Sequence, residues 1–285
     1  MPALSRARVR RLLTSRRRDD VSPDAGAPRH RWPLLHLAAN ALGLSLRIVP
    51  RRHRFGAASL VARALRPLLA RTTLYREQLR HRVDSLPEIA LFRVLDALTR
   101  TGTRFDPVMT IDGGEALQAA LQSGRGVLVV APHAMLTTLI VRRLHDMGCA
   151  PEVVSADPGM RIDGTRLPAR TIQPSPAFLL AVRSRLRAGG VVCAMIDRGE
   201  PSEGRTVEFA TPGGPVLVAD ALVRLAVRCG ARVVFTTFRL DERGRVVAAL
   251  ASPDAASSGS PEAILGDFAA FVRTHVARIA ARVVR

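Results

Sequence analysis

Three polar residues follow strand-like runs in the middle of the chain, and their types suit proton-transfer chemistry. His133 follows Gly126-Val-Leu-Val-Val-Ala131 and Pro132, Asp157 follows the run 152–156, and Asp197 follows the run 191–196. A neutral imidazole at His133, between a buried strand and a helix, can take a proton from a substrate hydroxyl. The blander alternative is a histidine that caps the following helix or bonds a loop. Asp197 opens the polar turn Asp197-Arg198-Gly199-Glu200, either an ordinary turn or an Asp–Arg pair for a carbonyl or phosphate. The sequence contains no Gly-x-Ser-x-Gly elbow, and neither a phosphate-binding loop nor a dinucleotide fingerprint. Cys149, Cys193 and Cys229 have no metal-ligand spacing, and Cys193, inside an apolar run, reads as a small buried hydrophobe in a reduced setting.

For the three polar residues to meet, each must end a strand of one sheet. Gly126-Val-Leu-Val-Val-Ala131 is a continuous apolar run, the pattern of a strand buried on both faces. Further strands are expected at 108–111, 152–156, 171–173, 191–196, 232–238 and 246–250. Helices are expected at 115–122, 136–147, 177–187 and 217–229, followed by a final amphipathic helix carrying Ile264, Phe268, Phe271, Val272, Val276 and Ile279. Such alternation predicts an α/β fold with a mostly parallel central sheet flanked by helices. In sheets of this kind ligands gather outside the carboxyl ends of the strands, where His133, Asp157 and Asp197 all lie. Residues 101–285 form this core. Residues 32–100 form an N-terminal helical region, with Leu60, Ala64, Leu65, Leu68 and Leu69 at helical spacing, and again Ile89, Phe92, Val94, Leu95 and Leu98. Together 32–285 make a single domain, preceded by a flexible basic arm over residues 1–31.

Charge narrows the partners. The 285 residues include 43 basic and 24 acidic ones, a formal charge of +19, and every basic residue is arginine. A surplus of this size favours a polyanion, either nucleic acid or an anionic lipid surface. Aromatic residues make up only 4% of the chain, with one Trp and one Tyr, which argues against a base-stacking platform and so against nucleic acid. Arg63, Arg66, Arg71, Arg76, Arg80 and Arg82 decorate the helical region as a solvated face or as one turned to lipid headgroups. No apolar stretch reaches the roughly 18–20 residues of a spanning helix. The nearest candidate, 34–50, is interrupted by His36, Asn40, Ser45 and Arg47, and no secretory signal is visible. A peripheral position on membrane lipid is the expectation.

The order of these features is similar to that of a known family. The stretch Ile111-Asp-Gly-Gly-Glu-Ala-Leu-Gln-Ala-Ala-Leu-Gln-Ser-Gly-Arg-Gly-Val-Leu-Val-Val-Ala-Pro-His133 resembles the bacterial lipid A late acyltransferase family. That family has a strand, a Gly-Glu-x-Leu helix, Gly-(Lys/Arg)-Gly, an apolar strand and then its catalytic histidine. Gly189-Gly-Val-Val-Cys-Ala-Met-Ile-Asp-Arg-Gly199 resembles its second strand and Asp-containing turn, and Val207-Glu-Phe-Ala-Thr-Pro-Gly-Gly-Pro215 its Val-x-Phe-x-Gly-x-Pro segment. The stretch from Leu222 to Phe238 continues the match, which runs over roughly residues 70–280.

The resemblance implies a glycerolipid acyltransferase-like fold. It also implies transfer of a fatty acyl chain from an acyl-carrier-protein or coenzyme A thioester to a hydroxyl of a lipid or glycolipid, without cofactor or metal. The setting it implies is lipid A biosynthesis at the cytoplasmic face of the bacterial inner membrane, on anionic lipids. His133 would be the base and Arg198 the contact for the thioester carbonyl or carrier phosphate, with Thr138, Gly213 and Gly214 as substrate-binding positions. The chain departs from the family twice. The family's His-x4-acid motif reads His133-Ala-Met-Leu-Thr-Thr138, and its Arg-x-His-Pro near the C-terminus reads Arg273-Thr-His-Val. A threonine can orient an imidazole but cannot offset its charge, so Asp157 or Asp197 must replace the acid. Otherwise the chain is an impaired relative that binds lipid or acyl ligands as an accessory protein.

Overall fold

The computed structural model of the chain describes residues 41, 44–70, 86–106, 109–134, 136–155, 161–162, 165–166, 170–175, 177–197, 206–211, 214–241, 243–257 and 259–283. The basic arm expected over 1–31 lies outside the described residues, as do Arg71, Arg76, Arg80 and Arg82. Residues 39–285 form one compact unit. No described helix is long and apolar enough to cross a membrane.

After helical residues at 41 and 44–46, the described part of the N-terminal region contains α1 (Arg51–Ala70) and α2 (Leu86–Arg100). Strands and helices then alternate: β1 (Met109–Asp112), α3 (Gly114–Gln122), β2 (Val127–Ala131), α4 (Thr138–Asp146) and β3 (Glu152–Val154). Two short strands, β4 (Arg161–Ile162) and β5 (Thr165–Arg166), pair with each other, and β6 (Arg170–Ile172), α5 (Phe178–Arg187) and β7 (Val191–Met195) resume the alternation. The chain ends with β8 (Thr206–Thr211), β9 (Gly214–Ala219), α6 (Ala221–Cys229), β10 (Arg232–Leu240), β11 (Val246–Ala251) and α7 (Pro261–Val283).

Seven strands form the main sheet in the order β1-β11-β10-β2-β7-β3-β6. Only the β10–β11 pair within it is antiparallel, so the sheet is mostly parallel and the fold is α/β. β2 sits in the middle because nothing in it needs water: all five residues are buried, as a strand covered on both faces requires. Its alternate residues divide the core. Val127 and Val129 join Val191, Cys193 and Val153 under α1, α2, α3 and α4. Leu128 and Val130 join Val192, Ala194, Val233 and Phe235 under α5, α6 and α7.

The glycines of Gly124-Arg-Gly126 have separate structural reasons. Gly124 takes a left-handed turn at φ +67° just after α3, where L side chains are strained. At Gly126 a Cβ would run into the Leu186 carbonyl at the end of α5, so only glycine lets β2 start that close to the helix.

One expected element is corrected. The helix expected over 217–229 begins at Ala221, because residues up to Ala219 belong to β9 and pair with β8 from Thr206 opposite Ala219 to Thr211 opposite Gly214. Leu217-Val-Ala219 suits either a helix or a strand, and pairing with β8 decides it. Asp220, at the helix N-cap, marks the true start.

Candidate active site

β2 and β7 are neighbours in register, with Val127 opposite Val191 and Ala131 opposite Met195. The ladder runs one step past the strands, where the Ile196 N–H donates to the Ala131 carbonyl at 3.2 Å. His133 and Asp197 each lie two residues beyond the Ala131–Met195 pair, so the register alone brings them face to face.

The two make a double contact. The His133 backbone N–H donates to Asp197 Oδ2 at 2.7 Å, and the ring Nδ1 is bonded to Asp197 Oδ1. The Asp197 side chain is only 2% exposed, whereas that of His133 is 25% exposed. A carboxylate that far from water needs such partners, since an unpaired buried charge is strongly destabilising. An ionised carboxylate only accepts hydrogen bonds, so a neutral imidazole bonded to it would carry its proton on Nδ1 and leave Nε2 to accept. Such a pair, with the His133 side chain partly exposed, can serve chemically as an oriented base.

Beside the pair lies a cavity of about 430 Å³ between α4 and the sheet. Val129, Ala131, Val153, Cys193 and Met195 line it from the strands, Ile140 and Val141 from α4, with His133, Thr138 and Ser155 among the polar residues on its wall. The Thr137 hydroxyl donates to the Pro132 carbonyl at 3.2 Å and so ties the first turn of α4 to the histidine loop. Burial, reinforced by Cys149, pushes the Cys193 thiol up to about 12. It stays protonated at neutral pH, which removes it as a nucleophile. Thr236 of β10 also lines the cavity, and its buried Oγ1 has no hydrogen-bond partner among the described residues.

The residues expected at the site fare differently. His133 and Asp197 meet. Thr138, at the acid position of the family motif, opens α4 on the cavity wall, and the imidazole takes Asp197 as its partner instead. Gly214 stands at the tip of the β8–β9 hairpin, about 16 Å of strand from Ala219. It is Ala219 whose N–H is bonded to the Ile196 carbonyl, at 2.9 Å. Asp157, Arg198 and Gly213 lie outside the described residues. Thr236 escaped the sequence reading, although the Thr236-Thr237 step interrupts the otherwise apolar run 233–238 and is a weak flag for it. Among the described residues no group of three or more His, Cys, Asp or Glu side chains gathers as a metal site would. Neither a scan against protein-family models nor a search of curated proteins finds a match for this chain.

Proposed function

We propose that the protein is an acyltransferase of the glycerolipid acyltransferase-like kind. It would move a fatty acyl chain from an acyl-carrier-protein or coenzyme A thioester to a hydroxyl of a lipid or glycolipid. The observation that carries this reading is the His133–Asp197 pair standing beside a largely aliphatic cavity. The resemblance of residues 70–280 to the lipid A late acyltransferases points the same way.

In this mechanism the acyl chain lies in the cavity with its thioester carbonyl toward His133. Nε2 takes the proton of the acceptor hydroxyl as its oxygen attacks the carbonyl carbon. Asp197 stabilises the imidazolium that forms, as the carboxylate of a serine protease does. Collapse of the tetrahedral intermediate breaks the carbon–sulfur bond, and the departing thiolate takes the proton back from Nε2. The products are an ester and a free thiol, with the histidine restored. Arg198, next to Asp197, serves the thioester carbonyl or the carrier phosphate.

The acceptor is presented by an anionic membrane surface, in lipid A biosynthesis on the cytoplasmic side of the inner membrane. Arg52, Arg63 and Arg66 are exposed on α1, and Ile48 and Leu60 are exposed apolar residues at 88% and 65%. Basic and apolar residues together suit a headgroup boundary. The accessory-protein alternative drew its force from the missing acid at position 138, and Asp197 offers a carboxylate in its place.

The test is thiol release from acyl thioesters in the presence of lipid acceptors, using wild type and His133→Ala. Transfer by wild type that is lost in the variant supports the proposal. Equal inertness of both across donors and acceptors counts against it.

A further inference from the structure

Thr236 is fully buried, yet its hydroxyl bonds to nothing among the described residues. Buried polar atoms are nearly always paired, and one left unsatisfied is expensive. A valine would fill the same space in β10 without that penalty. Thr236 also lines the cavity beside His133, where the neighbouring Thr137 hydroxyl is already engaged by Pro132.

Its place in the sheet fixes where a ligand atom would have to be. β10 and β2 run parallel with Phe235 opposite Val130, so the next step sets Thr236 beside Ala131, two residues short of His133. A strand spacing of about 4.8 Å and two residues of rise, about 6.6 Å, separate the backbones of Thr236 and His133 by about 8 Å. A hydrogen bond reaches about 2.6–3.2 Å, so a thioester carbonyl held at His133 lies beyond Thr236, and an oxygen about two carbons further along the chain comes within reach.

Resting on the acyl-transfer function proposed above, we infer that Thr236 is a specificity-determining residue that selects donors whose acyl chain carries an oxygen substituent near the thioester, as a 3-hydroxyacyl chain does. With such a chain the Thr236 hydroxyl gains its missing partner. With a plain chain it is left facing methylene groups, and that mismatch is the basis of the discrimination.

Calorimetric titration with dodecanoyl-coenzyme A and 3-hydroxydodecanoyl-coenzyme A separates the outcomes. Wild type should bind the hydroxylated chain about tenfold more tightly. Thr236→Ser, which keeps the hydroxyl, should retain that preference. Thr236→Val should abolish it, binding the plain chain better and the hydroxylated one worse. Equal binding of both chains by wild type, or a preference that survives Thr236→Val, overturns the inference and leaves the acyl-transfer proposal standing. Binding of neither chain overturns the cavity as an acyl site, and the inference with it.

Discussion

The two faces of β2 were built from the same residue types and ended with different tasks. On one side Leu128 and Val130 pack into a filled core with Phe235 and Phe268, whose rings meet edge-on at 5.5 Å. On the other, Val129 and Ala131 border a cavity of about 430 Å³ that α4 roofs without filling. A strand buried on both faces carries no signal for which side will be solid. The difference comes from the helices: α5, α6 and α7 press aromatic and branched residues onto one face, while α4 starts at the histidine loop and leaves space beneath its first turns. Both faces help to hold the fold together, but only the side under α4 leaves space beside His133, the space the proposed function gives to a ligand.

Substitutions should separate these roles. The largest effect is expected from Asp197→Asn, which keeps the shape but removes the charge that orients and stabilises the imidazole. By analogy with serine proteases it should lower kcat/KM for acyl transfer by about 10⁴-fold. Next comes Phe268→Ala on the filled face, which should remove about 3–5 kcal/mol of stability in urea unfolding. Activity per folded molecule should survive it, and a selective loss of activity would blur the division between the faces. Val141→Phe, on the cavity wall, should do the reverse. Overpacking there should cost about 1–3 kcal/mol at most, while long-chain donors lose about tenfold in affinity relative to short ones. Thr138→Asp should bring little gain in rate, because His133 already has its carboxylate.

The smallest effect is expected in the turn between β10 and β11. Partial burial raises the Asp241 pKa, but hydrogen bonds from the Arg245 and Arg243 backbone N–H groups and from the Arg245 side chain outweigh it, holding the carboxyl below its ordinary value of 3.8. A folded-state pKa below the unfolded one means that the ionised form stabilises the turn above pH 3.8. That contribution fades as the pH falls through the folded value. Asp241→Asn should therefore lose a little stability at neutral pH and show a shallower decline in acid, measured as Tm against pH.

Much of the site was legible because its two members obey the same local rule. His133 and Asp197 each sit just past a run of apolar residues, and strand ends are where α/β sheets place their ligands. That β7 pairs directly with β2 was not legible, since 60 or so residues of chain separate them and no local pattern encodes strand order. The hairpin of β8 and β9 escaped for a related reason: Leu217-Val-Ala219 satisfies helical and extended patterns alike until a partner strand is in place. Thr236 was legible only faintly. A threonine in a strand is unexceptional by propensity, so the polar Thr236-Thr237 step is a weak signal, and the missing partner of its hydroxyl, in three dimensions, is what marks it out.

In the proposed mechanism Asp197 fixes the His133 ring with the proton on Nδ1, leaving Nε2 as the base. Long-range ¹⁵N–¹H NMR of the histidine rings reads that tautomer directly, with His133→Ala assigning the signals. A neutral His133 protonated at Nδ1, whose tautomer balance changes in Asp197→Asn, is the predicted result. A ring protonated at Nε2 in the wild type, or one indifferent to the loss of the carboxylate, would contradict it.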